Sequence, residues 1–413
     1  MPSPTPDTSS SPLFRQPAFV AFWCCRIASS FAFQMLSVAA GWQIYALTHR
    51  AASLGLIGLI QFLPSVLLAL PAGHFIDQWD RRRVVIGAIA IEAVAVICMA
   101  ISSHFEQIHE TAILLLIFVV GIGKAFEFPA MQALLPDLVP GPMLARAMAA
   151  NGAASQAASI AGPALGGFLY VAGADVVYAL DAGLYLLGLL ALGCLLAVKI
   201  SARPREPANL DRLLAGIRFI RARPDVMGVI SLDLFAVLLG GATALLPIFA
   251  QDILHTGPWG LGLLRAAPAA GALLMSLWLT RWHFQRQVGI TMFAAVAGFG
   301  LSTVVFALSS WIWLSLAALF VLGACDMVSM VIRGSMVQLD TPDDLRGRVS
   351  AVNSIFVNTS NQLGEFESGM LAAWLGAVPA ALLGGIGTLL VVAIWMRLFP
   401  GLRHRQQLHH AES

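Results

Sequence analysis

Twelve long apolar blocks run through this 413-residue sequence, and they decide what it can become. They lie at roughly 18–47, 53–76, 84–103, 111–135, 147–172, 175–198, 225–250, 259–280, 288–308, 311–334, 348–373 and 376–398. Most exceed the roughly 18–20 residues that an α-helix needs to cross a hydrocarbon core of about 30 Å, and they are too long for buried strands or ordinary core helices. Charge agrees with this reading. Asp, Glu, Lys and Arg make up 11% of the chain, against about 25% in a soluble domain, too little to cover a water-facing surface. The pattern predicts a polytopic α-helical membrane protein.

Lysine and arginine set its orientation. Arg15, Arg81, Arg82, Arg83, Arg146, the run from Lys199 to Arg223, Arg281, Arg286, Arg346, Arg348, Arg403 and Arg405 fall on one side, while the opposite loops carry only Arg50. The positive-inside rule places the crowded side and both termini in the cytoplasm. The polar, Pro/Ser-rich start reads as a disordered tail without a secretory signal. In the long loop at about 199–224, Leu210, Leu213, Leu214, Ile217 and Ile220 share one helical face, with Arg212, Arg218 and Arg221 largely off it. That is an amphipathic helix, lying on the inner leaflet or docked against the protein. Cys24, Cys25, Cys98, Cys194 and Cys325 all fall inside apolar blocks at spacings that suggest neither zinc nor disulfides, and they read as packing residues. The near-neutral net charge of +2 gives no support for a nucleic-acid partner.

The two halves repeat. Pro140, Arg146, Asn151, Gly162 and Gly167 recur as Pro342, Arg348, Asn353, Gly364 and Gly369 at one constant offset, and the pattern from Gly58 to Pro64 recurs from Gly262 to Pro268. Two six-span halves in the same orientation, joined by a cytoplasmic linker, are a transporter architecture with its solute site near the bilayer midplane. The predicted organisation is a tail at 1–17, a bundle at 18–198, a linker at 199–224, a second bundle at 225–398 and a tail at 399–413.

A charge at the bilayer centre costs about 2.5–3.5 kcal/mol or more, so each ionisable residue inside a span is a candidate functional group. These are Arg26, Glu92, Lys124, Glu127, Asp181, Asp233, Arg265, Asp326, Arg333, Glu365 and Glu367. The repeat makes spans 1, 4, 7 and 10 symmetry mates and maps Lys124 onto Asp326, so the two could face each other across a cavity. Lys124 and Glu127, three residues apart, share a helix face. Glu127, Asp233 and Asp326 are candidate proton carriers, since a carboxylate in a low dielectric binds its proton more tightly and can load and unload as its exposure changes. Structural ion pairing is the competing reading for each. Asn358, Gln362 and Glu365 form a polar stripe on span 11, lining a pathway or satisfying a neighbour such as Arg265. Asp181 and Glu92, on spans expected to be peripheral, read as structural; for Arg26 and Arg333, near span ends, snorkelling competes with function.

The loop GHFIDQWDRRR, from Gly73 to Arg83, resembles the G-x-x-x-D-x-x-G-R-R signature of the major facilitator superfamily. Gly73, Asp77, Arg81, Arg82 and Arg83 fit it, and Asp80 stands where the family has Gly. The resemblance implies close helix approach at the glycine and a cytoplasmic conformational latch in the Asp/Arg cluster. AGPALGG, with Gly162, Pro163, Gly166 and Gly167, resembles the superfamily's exporter motif, in which proline breaks the hydrogen-bond ladder and glycines allow tight packing. Stretches 231–250, 341–369 and 123–140 are similar to the exporter branch that includes the enterobactin exporter, with Lys124 where that branch has Arg.

The resemblance implies an all-α membrane protein of the major facilitator fold, with twelve transmembrane helices in two pseudo-symmetric six-helix bundles and both termini cytoplasmic. It implies proton-driven export of a siderophore or other small amphipathic compound by a monomer in the bacterial inner membrane, with the proton gradient as energy source and no cofactor or metal. Broad drug efflux is the alternative. A catechol siderophore, a macrolide-like compound or a dye would each suit a large, partly charged cavity. A membrane-embedded enzyme is disfavoured by short outer loops and scattered histidines, and a non-transporting receptor stays open.

Overall fold

The computed structural model describes residues 13–196, 217–281 and 287–407, and the side chains of Asp77 and Asn358 fall outside the described set. The described chain is helical throughout. In order come α1 (Pro17–Thr48), α2 (Ala51–Leu67), α3 (Ala69–Gln78), α4 (Arg81–His104), α5 (Glu110–Leu138), α6 (Leu144–Tyr170) and α7 (Ala174–Leu196). After the linker follow α8 (Pro224–Leu239), α9 (Gly257–Arg281), α10 (Val288–Leu308), α11 (Ile312–Leu339), α12 (Asp343–Leu375) and α13 (Ala377–Leu398).

Among the described residues, nine helices are long and apolar enough to cross a membrane: α1, α4, α5, α7, α8 with its continuation to Ile253, α9, α10, α11 and α13. The other three expected spans depart from that type for visible reasons. Span 53–76 is split at Leu68 into α2 and α3, because Pro71 has no N–H to give the carbonyl one turn back and its ring clashes there. α6 is long but rich in Ala, Gly and Ser, and α12 is long but carries Arg346, Arg348, Asn361, Gln362, Glu365 and Glu367. Span 225–250, expected as one helix, is also interrupted. α8 stops at Gly240, a 3-10 turn runs over Ala242–Leu245, and a π turn follows over Phe249–Ile253. The break lies where Gly241 meets the backbone of Gly364 and a Cβ on Gly240 would stand 2.7 Å from the Phe299 ring.

Packing divides the chain into two compact units. One holds residues up to Ala39 together with those from Leu63 to the end of α7; the other holds Ala40–Phe62 together with everything from residue 217 onward. The units differ from the sequence halves in one segment, the end of α1 with most of α2, which packs with the second unit. There Gly55 lies against Gly369, a Cβ on Gly55 falling 3.1 Å from the Gly369 Cα.

In the first unit α4 lies along α5 and α7. α6 closes on α1 where Gly162 faces Gln34 and Gly166 faces Met35; a Cβ at Gly166 would stand 3.0 Å from the Met35 Cα. In the second unit α9 and α10 both pack on α11, while α12 and α13 pack on α8. Gly364, the repeat partner of Gly162, does the same work there: its Cβ would fall 2.9 Å from the Leu238 carbonyl of α8. The duplicated glycines are thus duplicated helix contacts, places where small residues let backbones approach in a bilayer.

The described part of the linker, 217–222, is helical, and Ile220 is buried in a core cluster with Val226, Met292 and Leu402. Arg218 and Arg221 are exposed. This segment therefore docks on the second unit; Leu210, Arg212, Leu213 and Leu214 lie outside the described residues. The tail turns back beyond α13, where Arg405 O accepts from Gly289 N at 3.0 Å and Arg405 Nη2 donates to Asp340 Oδ1 at 2.7 Å.

Candidate functional site

The first unit gathers its charges around one lysine. Lys124 and Glu127, one turn apart on α5, form an ion pair, and the Lys124 ammonium also reaches Glu92 Oε2 of α4 at 3.1 Å. Ser29 of α1 closes the ring, accepting from Lys124 at 2.9 Å and donating to Glu127. Glu92, Glu127 and Ser29 are all buried, while Lys124 keeps 20% of its side chain exposed. Two rings flank the ammonium, Phe33 at 5.0 Å and Tyr185 at 5.7 Å, a placement that favours a cation electrostatically. Arg26 stands apart from this ring of contacts: it donates to Ser155 Oγ at 3.3 Å and lies over the Phe128 ring at 5.7 Å.

α4 can approach α5 here because Gly123 lacks a side chain. A Cβ at that position would collide with the Glu92 Cγ and stand 2.9 Å from both the Ala88 carbonyl and Glu92 Oε1. Glu92, read from sequence as a peripheral structural group, is a member of the cluster. Its helix rotation, which sequence spacing does not supply, brings it in.

The second unit has a related arrangement with the polarity of the central group kept. Arg333 of α11 pairs with Asp233 of α8 and approaches Asp326 Oδ1, two turns earlier on its own helix, at 3.7 Å. Its Nε donates to the Ser329 carbonyl at 3.2 Å. Asp233 is buried, whereas 46% of the Asp326 side chain is exposed. A small cavity lined by Asp233, Asp326, Ser329 and Phe299 opens beside them. Arg333 is thus an ion-pair partner, where sequence left snorkelling open.

The polar stripe of α12 faces the segment that packs with it. A Cβ at Gly58 would meet Glu365 Oε2 at 3.0 Å and the Gln362 carbonyl at 3.4 Å. Glu365 and Arg265 lie within electrostatic reach of each other, which supports the pairing of α12 with α9. Asn358 is on α12, with its side chain outside the described set. Also in this unit, Tyr45 donates to Asp252, a contact between the end of α1 and the π turn.

At the latch loop, Arg81 pairs with Asp137 at the end of α5, and Arg82 binds Asp80 at 2.8 Å. Asp137 carried no signal of its own in the sequence. Asp80 is the N-cap of α4, its side chain accepting from Arg82 N at 3.0 Å, and its backbone is extended at φ −60°, ψ 114°. No glycine is needed at such a conformation, and an Asp there satisfies an otherwise orphan helix N–H. The hydrogen bond from Arg82 holds the Asp80 carboxyl below the usual carboxylate range. Arg83 is exposed, Asp77 lies on α3 with its side chain outside the described set, and a Cβ at Gly73 would meet nothing within 4 Å. In the exporter motif Gly162, Pro163, Gly166 and Gly167 are all buried on α6.

Comparison with known proteins bears on what these clusters serve. The family model for a transmembrane secretion effector matches residues 8–411. The enterobactin exporter EntS of Escherichia coli O9:H4 (strain HS) is 27% identical over 392 residues, covering 95% of this chain and 94% of its own. The protein of the same name from Citrobacter koseri gives the same identity and coverage. Among solved structures, a bacterial homologue of the human lysosomal transporter Spinster superposes with a TM-score of 0.75 at 14% identity, over 98% of this chain and 100% of that one. A bacterial homologue of the iron transporter ferroportin reaches 0.72 at 14% identity, over 96% and 100%. Matched over nearly its whole length, the chain belongs to the transmembrane secretion effector family of the major facilitator superfamily, and is a multi-pass membrane transporter of small molecules.

Proposed function

We propose that this transporter is a proton-driven exporter of a siderophore or a similar small amphipathic compound, working by alternating access. One observation carries the proton part. In each compact unit a single central cation meets two carboxylates, Lys124 with Glu92 and Glu127, and Arg333 with Asp233 and Asp326. The Arg333 cluster therefore holds one acid beyond what its central cation balances, and around Lys124 the second acid, Glu127, also lies within electrostatic reach of Arg26. An uncancelled carboxylate in a dry site binds a proton and gives it up when water reaches it, which is the elementary step of proton coupling. Asp326, half-exposed beside a cavity, and Lys124, partly exposed, are the members placed to meet a solute or water.

The siderophore part rests on the likeness to enterobactin exporters, which extends over nearly the whole of both chains. The charge bias of the loops supports twelve crossings of a bacterial inner membrane with both termini in the cytoplasm. The proton gradient supplies the energy, without a cofactor, and one chain holds both clusters and so suffices as the working unit. Mass spectrometry of culture medium from a deletion strain under iron limitation tests the substrate. The expected result is a siderophore missing from the medium and retained in the cells. Unchanged siderophore secretion together with new sensitivity to dyes and macrolides would replace this reading with broad drug efflux.

A further inference from the structure

Asp181 lies on α7, the helix expected from sequence to be peripheral. It is completely buried, and neither carboxylate oxygen has a hydrogen-bond partner in the structure. Tyr185, four residues on and so on the same face of α7, is also completely buried, with its hydroxyl directed toward Glu92 of α4. An unsatisfied carboxyl one turn from that tyrosine, inside a transporter, needs an explanation, because leaving such a group buried and unpaired is unfavourable.

The surroundings say what the pair adjoins. Tyr185 lies beneath the Lys124 ammonium at 5.7 Å and within electrostatic reach of Glu92, Glu127 and Asp181. α7 packs on α4, which carries Glu92, and on α1 at Gly188, where a Cβ would stand 3.3 Å from the Cys25 Sγ. On its own helix Asp181 neighbours Tyr178, which in turn lies within reach of Tyr170 at the end of α6. The groups around this side of α7 are thus Cys25, Glu92, Lys124, Glu127, Tyr170, Tyr178 and Tyr185; of the cations, Lys124 is already engaged by two carboxylates, and Arg26 acts on Cys25 and Glu127 from α1. Burial without a partner disfavours an ionised carboxylate, so the neutral acid is the form that such a place holds.

We propose that Asp181 is a proton-carrying carboxyl of the first unit, holding its proton in the state described here and releasing it toward the Glu92–Lys124–Glu127 cluster by way of the Tyr185 hydroxyl. In that transfer Tyr185 accepts the Asp181 proton and passes its own to the Glu92 carboxylate. Asp181 is left ionised in a state in which water reaches it, Glu92 is neutral, and the total charge is unchanged. The proposal rests on the proton-driven reading and deepens it.

The test compares wild type, Asp181→Asn and Asp181→Glu in proteoliposomes, with a radiolabelled catechol siderophore as probe and an imposed pH gradient. Expected is that wild type and Asp181→Glu accumulate the probe in response to the gradient, while Asp181→Asn loses at least tenfold of that response and keeps gradient-independent counterflow. Gradient-driven accumulation by wild type and Asp181→Asn alike would overturn the role of Asp181 and leave the proton-driven reading standing. No gradient response in wild type would remove that reading, and this inference with it. If Asp181→Asn does not fold, infrared spectra of wild type carrying 13C-labelled aspartate decide. A protonated aspartic acid band at neutral pH that persists in Asp326→Asn supports the assignment, and the absence of any such band overturns it.

Discussion

Gly123 and Glu92 fit together as a vacancy and its occupant: the space where a Cβ of Gly123 would stand is filled by the Glu92 side chain. The relationship ties the packing of α4 against α5 to the charge cluster, since the glycine that lets the helices close also lets a second carboxylate reach Lys124. Gly123→Ala has no room, because the adjacent Ala88 carbonyl is backbone and cannot swing aside. Overpacking of this kind costs about 1–3 kcal/mol. Thermal unfolding in detergent should show a Tm several degrees lower, and transport should fall as Glu92 is pushed from the ammonium.

Lys124 is the cation on which two buried carboxylates depend. Lys124→Met leaves both uncompensated, and breaking a buried pair in this way costs about 3–5 kcal/mol. Lys124→Arg keeps the charge. The expected outcome is a Met variant that is poorly folded or inactive, and an Arg variant that keeps its elution profile in size-exclusion chromatography. Equal stability of the Met variant and wild type would show that the cluster does not need its cation.

The two aspartates around Arg333 should separate experimentally. Asp233 is buried and paired, whereas Asp326 is half-exposed and only approaches the guanidinium. Asp233→Asn should lower stability by a few kcal/mol, as the loss of one partner of a buried pair does. Asp326→Asn should leave the melting temperature within about a degree or two of wild type, a change under roughly 0.5 kcal/mol, and abolish the response to a pH gradient. Thermal unfolding and transport measured on the same preparations check both halves.

At the start of α4, Asp80 acts as a helix cap. Because the hydrogen bond from Arg82 depresses its carboxyl below the ordinary value of 3.8, its contribution is fully present above that value and is lost as pH falls through the lower folded value. Hydrogen exchange at the first amides of α4 should therefore be insensitive to pH in the neutral range, after correction for intrinsic rates, and lose protection only in strong acid. Asp80→Ala should cost about 0.5–2 kcal/mol of local stability and Asp80→Gly a few tenths.

Much of this was legible in the sequence wherever a local pattern carries the information. The apolar blocks give the helices, and the constant-offset glycines Gly162 and Gly364 mark equivalent contacts of α6 on α1 and α12 on α8. Lys124 and Glu127 meet because three residues on a helix bring side chains together. What sequence could not supply was rotation and long-range partnership. Glu92 and Asp181 read as peripheral because nothing local says which way α4 and α7 turn. For Arg333 snorkelling competed with function because its partner, Asp233, lies a hundred residues away on another helix. Asp137 gave no signal, and Arg405 gave only one of orientation, because each finds its partner, Arg81 and Asp340, only after the chain has folded back. The Gly240–Gly241 pair that interrupts α8 was visible but lay within a run apolar enough to pass as one span.

Coupling to protons is the claim on which the functional account turns, and uptake of a radiolabelled siderophore into proteoliposomes tests it most directly. With the lumen made more acidic than the medium, protons leaving should drive the solute in, and a protonophore should abolish the accumulation. Uptake of the same size with and without the gradient would contradict the account.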